Sequence, residues 1–246
     1  MADGWLFLLR WFHFLAGITW IGMLYYFNFV QTPFFGSKFV ADNAAVRSGI
    51  VRGGLLENAL WWFRWGAMLT FITGWLYILH VAFAQYGGPR GFAATSYGWK
   101  IFFGGMLGTT MWANVWFVIW PGQQVVMASA QAVATGGQAI PEAAARGARA
   151  GVASRTNTML SIPMLFFMGA ASHFTSMTGT PATGGAKWGA LILLAIVIVV
   201  VEINALVGPA APPSGGKKIL ATLKGTFWAG FILTAILYVV LRILFG

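Results

Sequence analysis

Three histidines, His13, His80 and His173, are the only imidazoles in a chain of 246 residues. Each sits in a long apolar run: "RWFHFLAGITW", "GWLYILHVAF" and "LFFMGAASHF". A neutral imidazole can ligate haem iron or a transition metal, and it can also join helices by a hydrogen bond. Position along the runs narrows the choice. If the runs are helices crossing a membrane in alternating direction, His13 lies roughly 12 Å into the first at about 1.5 Å per residue. His80 and His173 then lie a turn or two from the far ends of the second and fourth. All three fall in the same half of the membrane, although 67 and 93 residues separate them in sequence.

Small residues flank two of them. His13 is followed one turn inward by Gly17, and His173 is preceded by Gly169 and Ala170. Such positions leave space for a planar macrocycle held edge-on between helices, and one non-covalent b-type haem clamped by His13 and His173 is the simplest count. His80 has Tyr77 and Leu76 on its inward turn, so it serves as an alternative ligand or a donor to a propionate. Two other readings stay open. A bare zinc or copper ion could use three histidines, though only Asp3 is near enough to orient an imidazole, and all three histidines could be polar contacts between helices.

The elements that must position these residues follow from composition. Hydrophobic residues make up 59% of the chain and charged residues 8%, the balance of an integral membrane protein. Runs long enough to cross a bilayer, which takes about 20 residues as helix, are read at 5–30, 59–84, 97–120, 156–178, 187–207 and 219–245. The expected fold is therefore an all-α integral membrane protein: a single domain over 1–246, a bundle of about six transmembrane helices with short cytoplasmic interfacial helices. A membrane β-barrel would alternate apolar and polar residues, and "ALILLAIVIVVVEINALVG" does not. With no cysteine present, disulfides, iron–sulfur ligation and covalent C-x-x-C-H haem are excluded within this chain. "MADGWLFLLRWF" lacks the basic region and cleavage site of a secretory signal, so the first span is expected to be retained.

The net charge of +10 reads as orientation and lipid contact, not nucleic-acid binding. Loops 31–58, 121–155 and 208–218 with adjacent helix ends carry ten basic residues against five on the other side. Both termini are therefore expected outside the cytoplasm, in the periplasm of a bacterial inner membrane. In loop 121–155, "ASAQAVA" and "PEAAARGARA" read as two short helices of a cytoplasmic hairpin, and 37–56 reads as an interfacial helix. Glu202 is the one acid deep in an apolar run. Such a group is usually paired, and Arg64 or Arg155 lies at comparable depth; a proton relay or an anion site is the functional alternative. Asn114 reads as an interhelical hydrogen bond. Tryptophans near span ends form the usual interfacial belts.

Three stretches carry a family resemblance. "LLRWFHFLAGITWIGMLYYFNFVQTPFF", "NVWFVIWPGQQ" and "SRTNTMLSIPMLFFMGAASHF" together resemble the membrane domain of bacterial membrane-bound urate hydroxylases, the urate oxidase N-terminal domain. The resemblance places His13 and His173 on family motif positions and supports His80 more weakly. It implies a redox protein whose relatives carry a c-type cytochrome after the last span. Here the sequence ends at "LRILFG" without C-x-x-C-H, so a separate periplasmic c-type cytochrome, or a larger respiratory or oxygenase complex, is the expected partner. The resulting expectation is a cytochrome b-like electron-transfer protein, urate hydroxylase-like in its oxidoreductase chemistry. The alternatives are a non-catalytic membrane subunit, with a homo-oligomer as one form, and a transporter, for which Pro163 offers one helix interruption.

Overall fold

A computed structural model describes residues 2–43, 45–46, 49–50, 53–174, 179 and 183–246. Among them are six long helices: α1 (Ala2–Tyr25), α2 (Leu55–His80), α3 (Ser96–Asn114), α4 (Ala143–His173), α5 (Gly184–Leu206) and α6 (Leu223–Phe245). The first three run on through π-helical turns at Tyr26–Gln31, Val81–Gln85 and Val115–Ile119. Five continuous helices are long and apolar enough to cross a membrane: Gly4–Phe35, Leu55–Gln85, Ser96–Ala134, Gly184–Leu206 and Leu223–Phe245. The chain is an all-helical, multi-pass membrane protein.

α4 is the exception, and its composition has a reason. It packs against α3 and α6 along its length and also meets α1 and α5. A helix covered by protein can carry Thr156, Asn157, Thr158 and Ser161 fully buried; neighbouring groups and its own carbonyls satisfy Asn157, Thr158 and Ser161, while the Thr156 hydroxyl is buried without a partner. α5, by contrast, leaves Ile192, Ile196, Val199, Val200 and Ile203 exposed on its outer surface, as lipid contact requires. Polarity here tracks distance from lipid.

Neighbouring helices run antiparallel, while α4 and α6 run parallel. α1 lies along α2, where Gly66 permits the closest approach: a Cβ there would sit 3.1 Å from the Trp20 backbone nitrogen. The Trp120–Ala134 segment that continues α3 meets α4 in the same way at Gly122, where a Cβ would lie 3.0 Å from the Arg146 carbonyl. The core between them is filled by Trp20, Leu24, Phe63, Phe103, Met111, Leu160 and Phe167.

Loop 121–155 departs from the expected hairpin of separate short helices. The segment Trp120–Ala134 continues the third span, and α4 begins at Ala143, so both "ASAQAVA" and "PEAAARGARA" extend long helices. The π turn at Val115–Ile119 lies just before Pro121. Pro121 has no N–H, and its ring would crowd the carbonyl four residues back; widening the turn lets the helix pass through. Of the expected interfacial helix at 37–56, Lys38–Asp42 is helical with Ser37 capping it, and Arg47 and Arg52 lie outside the described residues.

Candidate functional site

His13 sits on α1 facing α2. Its Nδ1 is 3.0 Å from the Thr70 carbonyl oxygen and 3.3 Å from the Thr73 hydroxyl, which itself donates to the Leu69 carbonyl at 2.6 Å. A carbonyl can only accept, so Nδ1 carries the proton and Nε2 holds the lone pair of the neutral ring. Gly74 makes the arrangement fit. A Cβ at 74 would lie 2.9 Å from His13 Cε1 and 3.1 Å from Nδ1, so the imidazole occupies the place of a side chain on α2.

From His13 a cleft of about 460 Å³ runs inward between α1, α2, α3 and α4. Gly17, Gly22, Gly74, Gly105 and Gly108 form much of its wall, with Phe71, Trp20, Met164 and Met168. At Gly22 a Cβ would meet nothing within 4 Å, and at Gly108 the nearest atom would be Met164 Cγ at 3.8 Å. The lining is apolar apart from His13, Thr70, Thr109 and indole nitrogens. Trp75 Nε1 donates to Thr109 at 3.0 Å, whereas Trp20 Nε1 is buried without a partner.

The other end of the cleft is polar. A small cavity of about 110 Å³ shares His13, Gly74 and Met168 with the cleft and adds Arg10, Tyr77, Tyr97 and Ser172. It leads to a mouth of about 340 Å³ lined by Arg10, Tyr77, Gln85, Tyr86 and Tyr97. Arg10 donates to the Tyr77 hydroxyl, which is 3.4 Å from that of Tyr97, and the guanidinium lies 5.0 Å from the Tyr77 ring centroid. The whole is an amphipathic slot: one cation and three phenols at the mouth, an imidazole below them, and glycine-walled apolar space beyond.

Of the residues expected at a site, the structure brings His13 and Gly17 together here. His80 is half-buried at the end of α2, and His173 is exposed as the last residue of α4; neither lines the cleft. Gly169 is exposed, with nothing within 4 Å of its Cβ position. Helical period explains the separation. Gly169 and His173 share one face of α4, whereas Met164 and Met168 share the face turned toward α1. No group of three among His, Asp and Glu that could hold a metal ion occurs among the described residues, so the three-histidine metal arrangement is not formed there. The sequence signal that points to the cleft is the repeated small residue at helical spacing: Gly17 with Gly22, and Gly105 with Gly108.

Glu202 and Arg64 do not pair. α3 packs against both α2 and α5, and the two ionisable groups meet different partners. Asn114 donates to Glu202 at 2.9 Å and to Asn157 at 3.0 Å, and Asn157 donates to the Met111 carbonyl at 2.9 Å. The cluster ties α3, α4 and α5 together. The Arg64 guanidinium instead stacks on indoles, 4.0 Å from the Trp120 centroid and 5.3 Å from that of Trp116, a cation–π contact. Arg155 faces a different cavity, at the opposite end of the bundle from the tyrosine mouth.

Comparison with known proteins adds one finding. The model of the family described as "Urate oxidase N-terminal" matches residues 76–207, more than half of the chain. The matched range includes the third-span and fourth-span motifs, His80 and His173, while His13 precedes it. Searches of curated proteins and of solved structures gave no match. The match, together with membrane-crossing helices on both sides of it, identifies the chain as a multi-pass membrane protein of the urate oxidase N-terminal family.

Proposed function

We propose that this protein is a b-type haem-binding membrane oxidoreductase of the urate hydroxylase-like kind, passing electrons to a c-type cytochrome. The observation that carries the reading is the slot headed by His13. A b-type haem is a flat apolar macrocycle with two carboxylates on one edge, and the slot pairs a glycine-walled apolar cleft with a cationic, phenolic mouth. Within it His13 would be the iron ligand through Nε2, since Nδ1 is held by the Thr70 carbonyl; this outer hydrogen bond also fixes the ring plane. Arg10, Tyr77 and Tyr97 would hold the propionates. On the far wall the cleft offers the thioethers of Met164 and Met168, which narrows the expected His13–His173 clamp to one imidazole from α1. Bound there, haem supplies one-electron transfer between a reductant and the cytochrome. Hydroxylation of urate by water would release two electrons and two protons, hence two cytochrome reductions per turnover. The apolar walls exclude water from the transfer path, and Arg10 and the tyrosines leave the cofactor edge near the surface where a partner would dock.

The test is spectroscopic. Protein purified from haem-replete cells is expected to show a Soret band that His13→Ala removes and His173→Ala spares. Absence of the band in the wild type, or its full retention in His13→Ala, would sink the proposal.

Orientation belongs to the same reading. The excess of Lys and Arg on loops 31–58, 121–155 and 208–218 supports both termini in the periplasm of a bacterial inner membrane, with the His13 slot in the periplasmic half. A phosphatase fused after Gly246, active only outside the cytoplasm, is expected to work; activity of a cytoplasm-only reporter there would reverse the topology and the docking side together.

A further inference from the structure

The end of the bundle away from the His13 slot holds a second cavity, of about 300 Å³, between the π turn after α1, the continuation of α3, α4 and the segment before α6. Among the described residues, four cations of this half are buried or partly buried: Arg64, Arg149, Arg155 and Lys217. Three of them have partners in the protein. Arg64 stacks on Trp120 and Trp116. Arg149 donates to the Ala205 carbonyl at 2.6 Å and to that of Gly208, and Lys217 donates to the Val207 carbonyl at 2.6 Å. These two close the end of α5, where carbonyls lack helical partners. Arg155 has no ion pair, hydrogen bond or ring contact among the described residues. Of its guanidinium nitrogens only Nη1 is enclosed by protein; Nε and Nη2, equally without a partner, keep accessible surface on a residue that lines the cavity.

We infer that this cavity binds a phosphate group, with Arg155 as its principal contact. Charge sets the sign of the ligand. Arg155 and Lys217 both line the cavity, and no carboxylate does among the described residues. Partly burying positive charge without a counter-charge is costly, so an anion is favoured there. The arrangement of donors sets the kind of anion. Arg155 comes from α4, Lys217 from the segment before α6, Gln31 from the π turn after α1 and Gln123 from the continuation of α3. Lys217 has N–H groups left after its bond to Val207, and both amides can donate. A tetrahedral oxyanion offers oxygens in several directions to donors arriving from four segments, whereas a carboxylate offers two in one plane. A chloride ion would fill only a small part of the space. Phosphate is also the group for which the guanidinium fork is best suited outside carboxylates.

Two sources carry that group: an anionic phospholipid of the adjoining leaflet and inorganic phosphate from solution. Phe27, Leu56 and Leu60 line the same cavity and give apolar contact to a lipid's glycerol and upper acyl carbons, while the polar donors take the headgroup phosphate. The inference stands apart from the haem reading, since no residue lining this cavity lines the His13 cleft.

The experiment has two arms on the full chain. Equilibrium dialysis of radiolabelled orthophosphate against the protein in phosphatidylcholine nanodiscs reads the soluble source. Native mass spectrometry of the detergent-purified protein, titrated with phosphatidylglycerol and with phosphatidylcholine, reads the lipid source. Saturable binding is expected in at least one arm, with phosphatidylglycerol preferred over phosphatidylcholine if the source is lipid. Arg155→Gln is expected to weaken it about tenfold or more, since a hydrogen bond between charged groups is lost. Gln123→Glu should weaken it similarly by placing a carboxylate in the cavity, and it keeps the inference testable if the arginine variant does not fold. Lys224→Gln, which removes an exposed charge near the same end that does not line the cavity, should leave binding unchanged. No saturable binding in either arm, binding indifferent to both Arg155→Gln and Gln123→Glu, or an equal loss in Lys224→Gln would overturn the inference.

Discussion

Gly74→Leu is expected to abolish the Soret band, lowering haem per protein by about tenfold or more, while the protein still inserts and folds. The effect is large because the glycine position and the imidazole occupy one volume. A Cβ alone would approach His13 Cε1 to 2.9 Å, and a leucine would occupy the ring's place entirely. The ring would then have to leave the Thr70 carbonyl, losing the hydrogen bond that keeps the proton on Nδ1 and the lone pair on Nε2. His13→Ala removes the ligand; Gly74→Leu keeps it and removes its seat. Gly169→Leu is the matched control, since that position is exposed and opens on empty space. An unchanged Soret band in Gly74→Leu, or equal losses in Gly74→Leu and Gly169→Leu, would place the cofactor elsewhere.

Gly230→Leu is expected to give the largest loss of stability. α6 crosses α4 at this residue, and a Cβ there would lie 2.5 Å from Ile162 Cδ1 and 2.8 Å from the Met159 carbonyl oxygen. The isoleucine can turn aside, but the carbonyl belongs to the backbone of the central helix and cannot. Overpacking of this kind costs about 2–3 kcal/mol, which for a chain of this size corresponds to a drop in Tm of about 5–10 °C. Thermal unfolding in detergent, with Gly4→Leu as a control at a position where nothing lies within 4 Å, checks it. Equal Tm values for Gly230→Leu and wild type would show that the crossing is looser than the geometry requires.

The membrane class and the lipid-facing helices were legible from the sequence alone. α5 and α6 touch lipid over much of their surface, so "ALILLAIVIVV" and "FILTAILYVVL" must be apolar nearly all round, and composition then suffices to find them. α4 was harder to place by hydropathy because its neighbours are helices and not lipid, which allows Asn157 and Ser161 in its interior-facing surface. The extension of the third span past Pro121 was hidden for a related reason. Proline marks a break by local rules, and only the π turn before it shows that the helix passes through.

The expectation that the histidines share one half of the membrane uses only their distance along each run, with chain direction and helical rise. Facing is another matter. Depth is a one-dimensional quantity and sequence carries it; the direction in which a side chain leaves its helix depends on how neighbouring helices rotate and cross. That rotation turns His13 onto Gly74, turns Met164 and Met168 into the cleft, and leaves His173 exposed at the end of α4. It likewise sets Asn114 against Glu202 and Arg64 against Trp120, although charge and depth alone suggest that the two ionisable groups meet. These partners are a consequence of packing six helices around one another, and no local feature of either segment encodes them.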